Sequence, residues 1–442
     1  MRTRRAAIER AATFRSHCPH RDLMQRSVND SPSGALRAAS PASGRPAWMV
    51  ILAAAAIAAI AMGLRQAMGL YLKPVSETLS LGREAFALAV AVANIVWGVA
   101  APFAGGISDA YGAGRVAVTG AVSLTAGLLA MYAARSEFDL LVSGVLLGIG
   151  VAGCGVNAMV GAVARAVSPE NRSSAIAAIG MGSGVGILIA LPYTHLAIGA
   201  LGWQNSLLLL SATTAIIFVL ALPVSGRPAV HAGDGSSQTL REALAEAFRS
   251  RSYWLLNAGF FVCGFHVVFY GTHLPAYVAD QGLGAEVAVL ALTVVGLGNL
   301  VGTYLAGQWG RFRPKRYGLV LIYLGRSLVF LAFLFLPVTE TSIVVVSGLL
   351  GLLWLSTVPL TSGIVGTMFG PRWMSTLYGI VFLSHQVGSF LGAWLGGYVF
   401  DKLHSYDAMW WISVGLGIFA ALVNWPIREE GVRRPAPAPA AA

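Results

Sequence analysis

Twelve long apolar runs constrain the fold of this sequence more than any other feature. Each run has about the 20 apolar residues that a helix needs to cross the hydrocarbon core of a bilayer. Backbone N–H and C=O groups cannot stay unpaired in lipid, so the runs are predicted to be helices. They cover residues 47–72, 85–105, 116–134, 140–164, 174–200, 204–224, 253–278, 286–308, 317–337, 342–368, 374–400 and 408–427. The sequence therefore predicts an all-α membrane protein with twelve transmembrane helices.

The composition argues against the common soluble classes. Apolar residues make up 56% of the chain and charged residues only 11%, whereas a soluble domain carries about 25% charged residues. Too few polar side chains exist to cover soluble cores, which argues against a soluble enzyme, a nucleic-acid-binding module or a disordered scaffold. Cys18, Cys154 and Cys263 lie far apart without metal-ligand spacing. We therefore expect neither a metal site nor a cofactor.

The distribution of Lys and Arg predicts the orientation in the membrane. With the N-terminus in the cytoplasm, 24 of the 30 Lys and Arg lie in cytoplasmic segments and four on the opposite side. The other two, Arg65 and Arg326, fall inside runs. The positive-inside rule then places both termini in the cytoplasm, with the chain in the inner (plasma) membrane. Orientation accounts for the net charge of +11, so no nucleic-acid partner is expected.

The runs divide the chain into two halves joined by a polar segment. Residues 1–46 are predicted to be a disordered basic cytoplasmic tail, with Met24 as an alternative start. Six runs fill 47–224 and six fill 253–427, with 428–442 as a second cytoplasmic tail. In the linker 225–252, Thr239 and Glu242 form the pattern of a capping box. An amphipathic helix lying on the cytoplasmic interface is expected after it.

The two halves resemble each other at a nearly constant offset. Gly63 and Pro74 correspond to Gly264 and Pro275 at an offset of 201 residues, and Pro169 corresponds to Pro371 at 202. Each match is weak alone, but their shared order indicates a duplication of six helices. Parallel six-helix repeats with a site between them occur in secondary transporters.

The loop after the second run resembles the signature loop of the major facilitator superfamily. Residues 105–115 read Gly-Gly-Ile-Ser-Asp-Ala-Tyr-Gly-Ala-Gly-Arg, which matches the family pattern at Gly105, Asp109 and Gly112. The basic end of the motif is displaced to Arg115, and Ala110 replaces an Arg. This resemblance implies the major facilitator fold of two six-helix bundles, transport by alternating access, and a role in gating for this loop. The stretch 65–115 and the segment 273–275 are similar to bacterial monocarboxylate and oxalate/formate carriers.

Ionisable residues inside the runs point to an anionic substrate. All nineteen Asp and Glu map to loops, tails or helix ends. Toward the middle of the runs lie Arg65, Arg326 and the histidines His266, His273 and His385. Cation carriers commonly place carboxylates at the midplane, so this set favours an anion. Arg326 lies in the ninth run, which the resemblance makes an outer support, and there it is expected to bind backbone carbonyls or nearby hydroxyls.

Arg65 is the central candidate for substrate contact. It precedes Pro74 by nine residues, which is about 13–14 Å along a helix and near the midplane. Its alternative role is an anchor at the headgroups, if the helix ends near Leu64. His266, Tyr270 and His273 share one helix face and, with His385 and Asn157, complete the predicted substrate-binding set. The alternative for these five residues is interhelical hydrogen bonding.

Rows of glycine at a spacing of four predict close helix contacts. Gly184 lies in the fifth run, and Gly388 and Gly392 lie in the eleventh. The resemblance implies that helices five and eight, and helices two and eleven, meet across the halves, which makes these glycines candidates for gating. Tight packing within one half is the alternative.

These patterns lead to one main functional hypothesis. The chain is predicted to be a secondary active transporter, not an enzyme, that carries a small organic anion such as a monocarboxylate as a monomer in the lipid bilayer. Coupling is by proton symport or anion exchange. An efflux carrier for apolar drugs is the alternative on the same fold, suggested by eleven Trp and nineteen Phe. A membrane-embedded enzyme and a signalling receptor are alternatives from other classes.

Overall fold

The computed structural model describes residues 46–167, 172–225, 239–370 and 373–431, and every regular element in these ranges is a helix. Residues 1–45, 226–238 and 432–442, which hold most of both predicted tails and nearly half of the linker, lie outside the described residues. The helices are α1 Ala47–Ala67, a 3-10 turn Met68–Tyr71, α2 Leu72–Leu79, α3 Arg83–Tyr111, α4 Ala113–Ala133, α5 Glu137–Cys154, α6 Val156–Ala166, α7 Arg172–Val224, α8 Leu240–Arg249, α9 Arg251–Asp280, α10 Ala285–Phe312, α11 Lys315–Phe335, α12 Glu340–Leu353, α13 Thr357–Phe369, α14 Met374–Leu403 and α15 Asp407–Asn424.

The helices match the predicted all-α membrane fold. Ten segments of the described chain are long and apolar enough to cross a bilayer. One of them, Ala175–Val224, has 50 residues, which is about 75 Å of helix and too long for one crossing. Gly202 leaves the helical conformation inside it, with φ of 76°, so the segment contains two crossings. With α14 as a further 30-residue helix, the fold agrees with twelve crossings in two six-helix bundles.

Three membrane crossings are interrupted. The first was predicted to end at 72, but it continues through the 3-10 turn to Leu79. The crossing predicted over 140–164 breaks at Gly155, between α5 and α6, and the crossing predicted over 342–368 breaks at 354–356, between α12 and α13. These last two breaks occupy corresponding places in the two halves. Interrupted helices in corresponding positions are a structural pointer to a binding site between repeats.

Buried apolar side chains form two clusters that follow the two halves. One cluster is built mainly from residues between Val50 and Val224, and the other mainly from residues between Ala247 and Ile427. Large apolar side chains such as Phe103, Phe138 and Phe335 are exposed on the outside of the bundle. A soluble monomer rarely exposes so much apolar surface, whereas lipid solvates it.

The predicted capping box and amphipathic helix are confirmed. Thr239 Oγ1 accepts a hydrogen bond from the Glu242 backbone N–H at 3.3 Å, and the Glu242 carboxylate accepts one from the Thr239 N–H at 2.8 Å. The helix α8 that follows buries only Ala243 and Ala247. Its exposed face is free to lie on a membrane surface, which stays a prediction.

Candidate functional site

Arg65 lies in the interior of the first crossing. Although α1 ends at Ala67, the 3-10 turn and α2 continue the crossing to Leu79, which argues against the headgroup-anchor alternative. Arg65 donates a hydrogen bond to Asn94 Oδ1 at 3.3 Å, and its guanidinium lies 5.2 Å from the centre of the Trp97 ring. Its Nε is buried without a hydrogen-bond partner in the described part of the chain. The guanidinium therefore has donor capacity to spare.

The orientation of the Asn94 amide is fixed by its own helix. Asn94 Nδ2 donates to the Val90 carbonyl at 2.8 Å, which turns the amide oxygen toward Arg65. Among the residues that the structure describes, no carboxylate forms an ion pair with Arg65. A single neutral acceptor therefore faces a permanent positive charge inside the membrane.

A small cavity of about 30 Å³ lies beside Arg65. It is enclosed by α1, α3, α4 and α5, all in the first half. Its polar lining comes from Arg65 and Asn94, and Trp97 closes one wall. The remaining walls are apolar side chains and glycines: Leu64, Met68, Ala89, Val90, Ala93, Leu124, Met131, Gly144, Leu147, Gly148 and Val151.

A hydrogen-bonded chain connects Arg65 to the second half of the molecule. Gln386 Nε2 on α14 donates to the backbone carbonyl of Asn94 on α3 at 3.0 Å. The other end of that amide, Gln386 Oε1, lies 3.0 Å from His385 Nδ1 and accepts from Ser389 Oγ at 3.3 Å. Gln386 and Ser389 are fully buried, and His385 and Asn94 are nearly so. His385 is thus connected to Arg65 through two intervening residues, Gln386 and Asn94.

Stacked rings run beside this chain. Trp97 meets Phe382 edge to face at 5.2 Å, and Phe382 stacks on His385 at 5.7 Å and 9°. The Trp97 ring that contacts Arg65 therefore also contacts the second half. Both polar and aromatic contacts connect the halves at the depth of Arg65.

The other predicted residues of the second half lie elsewhere. His266 is buried in the core of that half, where its Nε2 lies 2.9 Å from the Ser413 carbonyl and its ring packs on Phe330. Tyr270 bonds Ser347 at 2.6 Å and packs on Trp354. The expectation that His266 and Tyr270 stand with Arg65 at one site is corrected by this geometry. Their helix face packs on aromatic neighbours of its own half instead.

His273 lies apart from both groups, where α9 packs on α14 and on Tyr406. Its Nε2 lies 2.8 Å from the Ala393 carbonyl and its Nδ1 lies 3.1 Å from Tyr406 Oη. A carbonyl only accepts, so Nε2 carries the proton and the neutral Nδ1 accepts from the tyrosine. His273 therefore also stays apart from Arg65.

Arg326 is a structural residue at the break between α12 and α13. Its Nε donates to the Leu353 carbonyl at 3.1 Å, and one terminal nitrogen donates to the carbonyls of Leu353 and Trp354. The other terminal nitrogen is buried without a partner among the described residues. Asn299 Oδ1 accepts from the Leu355 N–H at 2.9 Å on the same break. The expectation that Arg326 binds backbone carbonyls is confirmed.

An ion-pair cluster joins the halves where α3 begins and α9 ends, which we call the Arg83 end. The Arg83 guanidinium donates two hydrogen bonds to the Asp280 carboxylate, at 2.5 and 2.6 Å, and Lys73 Nζ lies 3.4 Å from the same carboxylate. Asp401 accepts from the backbone N–H groups of Arg83 and Glu84 at 3.0 and 2.8 Å. This cluster was missed in the sequence because its acids lie at helix ends, where charges are ordinary.

Tyr406 extends this cluster inward. Its hydroxyl accepts from Arg83 at 3.1 Å and donates toward His273. Tyr406 lies in the turn between α14 and α15, where burial raises its pKa well above the ordinary value for a tyrosine. The hydroxyl therefore keeps its proton, and the contact with His273 persists across the neutral pH range.

Helices α3 and α14 separate toward the opposite end, which carries Arg115 and which we call the Arg115 end. Near the Arg83 end, a Cβ on Gly397 would lie 2.8 Å from the Ala87 Cβ, and midway a Cβ on Gly98 would lie 2.7 Å from Gln386. Farther along, Gly105 and Gly379 have no atom within 4 Å of such a position. The halves are therefore closed together at the Arg83 end and apart along these helices at the Arg115 end.

The predicted gating glycines fall into two groups. Gly184 on α7 faces α10, since a Cβ there would lie 3.1 Å from Leu300 Cδ2. A Cβ on Gly388 or Gly392 would instead meet the carbonyls of Phe261 and Phe265 on α9, in the same half. Gly184 thus lies between the halves as expected, but Gly388 and Gly392 pack within one half.

The signature loop forms the junction of α3 and α4. Gly112 has φ of 96° between the two helices, a conformation that side chains rarely adopt. Gly105 is partly buried and Arg115 is exposed. The side chains of Asp109 and Asn157 lie outside the described part of the structure, so their predicted roles stay predictions. No group of three or more His, Cys, Asp or Glu suited to a metal occurs in the described ranges.

Two helix bundles that meet at one end, with a buried arginine inside a membrane-spanning segment, are the architecture of a membrane transport protein. The Major Facilitator Superfamily model matches residues 49–393, and the chain belongs to that superfamily. Monocarboxylate transporter 11 of Mus musculus is 28% identical over 389 residues, covering 84% of this chain and 85% of the relative. The homologues of this chain are transporters, which supports a role other than that of an enzyme.

Solved structures share the fold. A bacterial homologue of the human lysosomal transporter Spinster, inward-facing and unoccupied, aligns with a TM-score of 0.66 at 15% identity over 85% of this chain and 93% of that chain. A peptide transporter, POT, aligns with a TM-score of 0.69 at 14% identity over 87% of this chain and 95% of that chain. At these identities the likeness is one of fold alone.

Proposed function

We propose that this protein carries a small organic anion of the monocarboxylate type by alternating access, with Arg65 as the countercharge of the substrate. One observation carries the proposal: Arg65 lies inside the membrane beside a cavity, with a free Nε and no acid paired to it among the described residues. A guanidinium matches a carboxylate with two parallel hydrogen bonds. The substrate supplies the acceptor that Arg65 lacks.

The energetic cost of the Arg65 charge inside the membrane favours a transport cycle. A cation at the bilayer centre costs about 2.5–3.5 kcal/mol even by insertion scales, and an arriving anion relieves that cost. The relief differs between a conformation that leaves Arg65 in water and one that encloses it. Such a difference in affinity is what lets a ligand shift a conformational equilibrium.

Homology supports the substrate class. Several relatives carry the name monocarboxylate transporter, among them transporter 13 of Rattus norvegicus at 25% identity over 401 residues. The substrate of this chain is proposed from the Arg65 site, and those names agree with it. His385, joined to Arg65 through Gln386 and Asn94, is the second residue of the proposed site.

We further propose that both termini are cytoplasmic, in the plasma (inner) membrane. The 24 Lys and Arg on the side of the termini support this orientation. The Arg83 end then faces outward, and the structure is closed to the outside. Coupling is by proton symport or by exchange of anions, and an imposed pH gradient against an internal anion load distinguishes the two.

The decisive experiment is uptake into proteoliposomes from a panel of labelled carboxylates. Arg65→Ala should abolish uptake, and Arg65→Lys should lose most of it, because ammonium keeps the charge but not the planar fork. Arg135→Ala, which removes an exposed arginine that does not line the cavity, is the matched control and should transport normally. Wild-type rates and affinity in well-inserted Arg65→Ala would refute the proposal.

A further inference from the structure

We infer that Cys263 gives its proton to His385, so that a thiolate and an imidazolium form a buried ion pair in the second half of the molecule. In this step the S–H bond of Cys263 breaks, its electron pair stays on the sulfur, and an N–H bond forms on the imidazole. The proton moves within the protein, and no external donor is needed. The exchange holds whatever ligand Arg65 binds, so it goes beyond the proposed function and does not depend on it.

Three polar side chains from other helices contact the Cys263 sulfur. Arg326 Nη2 on α11 lies 3.5 Å from it, Thr357 Oγ1 on α13 lies 3.2 Å from it, and the His385 side chain on α14 is hydrogen-bonded to it. A guanidinium can only donate hydrogen bonds, and a thiol sulfur accepts them weakly. A thiolate accepts charge-assisted bonds from the same donors. Cationic neighbours such as these stabilise the ionised form of a cysteine.

Arg326 lacks a negative partner unless Cys263 ionises. It is fully buried, its Nη1 has no hydrogen-bond partner among the described residues, and no carboxylate there forms an ion pair with it. An uncompensated buried charge is strongly unfavourable. Tyr323 also contacts the guanidinium, but its hydroxyl donates to the Gly259 carbonyl at 2.6 Å, and a phenol is a weaker acid than a thiol. Cys263 is therefore the group that can compensate the charge.

The contacts of His385 identify the ring nitrogen that receives the proton. Gln386 Nε2 donates to the Asn94 carbonyl at 3.0 Å, so Gln386 Oε1 is the atom that faces His385 Nδ1, also at 3.0 Å. An amide oxygen only accepts, so Nδ1 carries a hydrogen. Nε2 is then the basic nitrogen of the ring, and it takes the proton of Cys263.

Aromatic rings next to His385 favour a charged imidazole. Phe382 stacks on it with ring centres 5.7 Å apart, and the Phe260 ring lies 4.9 Å away. An aromatic face within about 6 Å attracts a cation. Among the described residues, the other titratable side chains that act on this pair or on the guanidinium beside it are not carboxylates: Tyr323, Tyr378 and His266. They supply no competing anion.

A charged His385 strengthens the connection between the halves. A hydrogen bond from an ionised donor is about twice as strong as one between neutral groups. His385 donates this bond to Gln386, whose other end is bonded to Asn94 in the first half. Polarisation along such a chain strengthens the second bond as well. The charge on His385 therefore stabilises the state that is closed at the Arg83 end.

The first test is infrared spectroscopy of the purified full-length protein, because a thiol has an S–H stretching band and a thiolate has none. Cys154 is the reference, since its sulfur donates to the Ala117 carbonyl at 3.4 Å and must keep its proton. Cys18→Ser, which removes the third cysteine of the chain, should leave the band of Cys154. The double variant Cys18→Ser, Cys154→Ser retains only Cys263 and should show no S–H band. A band in the double variant would overturn the inference.

The second test measures uptake of a labelled carboxylate into proteoliposomes as a function of pH. In Cys263→Ser the hydroxyl is too weak an acid to charge His385. We expect turnover at neutral pH to change about two- to ten-fold and to return toward the wild-type value at acidic pH, where His385 takes a proton from water. Substrate affinity should change less than turnover. Cys263→Asp supplies a carboxylate in place of the thiolate and should keep the wild-type pH profile.

The matched control is Cys154→Ser, which replaces a buried cysteine of the first half and should change neither the rate nor its pH profile. A purely packing role of Cys263 predicts the opposite order of variants, because serine is closer to cysteine in shape than aspartate is. Wild-type behaviour of Cys263→Ser with a defective Cys263→Asp would therefore overturn the inference.

The outcomes also separate this pair from the proposed function. If uptake is indifferent to Arg65→Ala while the double cysteine variant shows no S–H band, the proposed function fails and the ion pair stands. If Arg65 is required for uptake but the S–H band of Cys263 is present, the ion pair fails and the proposed function stands. If no carboxylate is taken up, the infrared result alone decides on the ion pair.

Discussion

Gln386 of the second half donates a hydrogen bond from its side chain to the backbone carbonyl of Asn94 in the first half, at 3.0 Å. The same Asn94 accepts from Arg65 through its side chain. One residue therefore contacts both the proposed substrate cation and the opposite bundle. Movement of either half relative to the other must change the surroundings of Arg65.

Replacing Gln386 tests this connection. Gln386→Leu keeps the volume but removes the bond across the halves, so the state closed at the Arg83 end loses about 0.5–1.5 kcal/mol. We expect turnover to change several-fold while substrate affinity changes less than three-fold. Uptake kinetics and equilibrium binding measure the two quantities separately. Gln204→Leu, at an exposed position, is the control, and equal losses of binding and turnover in Gln386→Leu would contradict the prediction.

The Arg83–Asp280 pair is predicted to hold the Arg83 end closed. Asp280→Asn removes a bidentate ion pair, and charge-assisted hydrogen bonds contribute about 1.5–3 kcal/mol each. Spin labels at Thr78 and Ser405 should therefore report a longer mean distance in this variant. The matched control is Glu77→Gln. Glu77 is largely exposed, and its ion pair with Lys73 is long, at 3.9 Å. Unchanged distances in Asp280→Asn would show that the cluster does not act as a gate.

Two glycines should respond differently to the same substitution. Gly184→Leu places a side chain against Leu300 between the halves, so we expect normal insertion and binding with at least ten-fold slower turnover. Gly388→Leu drives its side chain into the Phe261 carbonyl within one half. It should lower the yield of folded protein instead. Size-exclusion profiles and uptake rates distinguish the two, and a well-folded, slow Gly388→Leu would restore the gating role predicted for it.

Arg326 is predicted to stabilise the second half and not to bind substrate. Arg326→Met leaves the carbonyls of Leu353 and Trp354 without their buried donor, which costs about 1–3 kcal/mol for each unsatisfied group. The thermal midpoint should fall, and Arg326→Lys should recover little, since one ammonium cannot reproduce the fork. The substrate affinity of the folded fraction should equal that of the wild type. A selective loss of affinity would instead make Arg326 part of the site.

Orientation is tested by accessibility. Cysteines at Lys402 and at Arg241, both exposed positions, should lie on opposite sides of the membrane. In intact cells an impermeant thiol reagent should label the cysteine at 402 but not the one at 241, with the unaltered chain as the background control. The reverse pattern would invert the proposed topology.

The sequence was sufficient to predict the crossings because lipid leaves the backbone few options. The apolar runs located the helices, and Gly202 separated two of them as the runs indicated. The break at 354–356 was not predictable, because it depends on Arg326 and Asn299 reaching across from other helices. Hydropathy indicates which residues tolerate lipid. It does not indicate which side chains form hydrogen bonds with the free backbone groups at a helix break.

The candidate site was predictable only in part, for a similar reason. Arg65 could be singled out because a charged side chain inside the membrane is energetically unfavourable in any orientation. The sequence made His266 and His385 equally good candidates for substrate contact, because either a core carbonyl or a ligand can provide the hydrogen bond that a buried imidazole needs. Ser413, the partner of His266, lies 147 residues along the chain. Gln386 directly follows His385, but its bond to Asn94 joins residues 292 positions apart. Neither long-range contact can be read from the local sequence. Likewise, the sequence does not show that Gly388 packs against α9 of its own half.

The lack of an acid paired with Arg65 among the described residues has an electrical consequence. An empty protein keeps the positive charge of Arg65 within the membrane field, whereas a bound monoanion neutralises that charge in the loaded protein. A charge that crosses the full field at 100 mV is worth about 2.3 kcal/mol. Membrane voltage should therefore act on the return of the empty carrier, and the loaded carrier should reorient at a rate nearly independent of it.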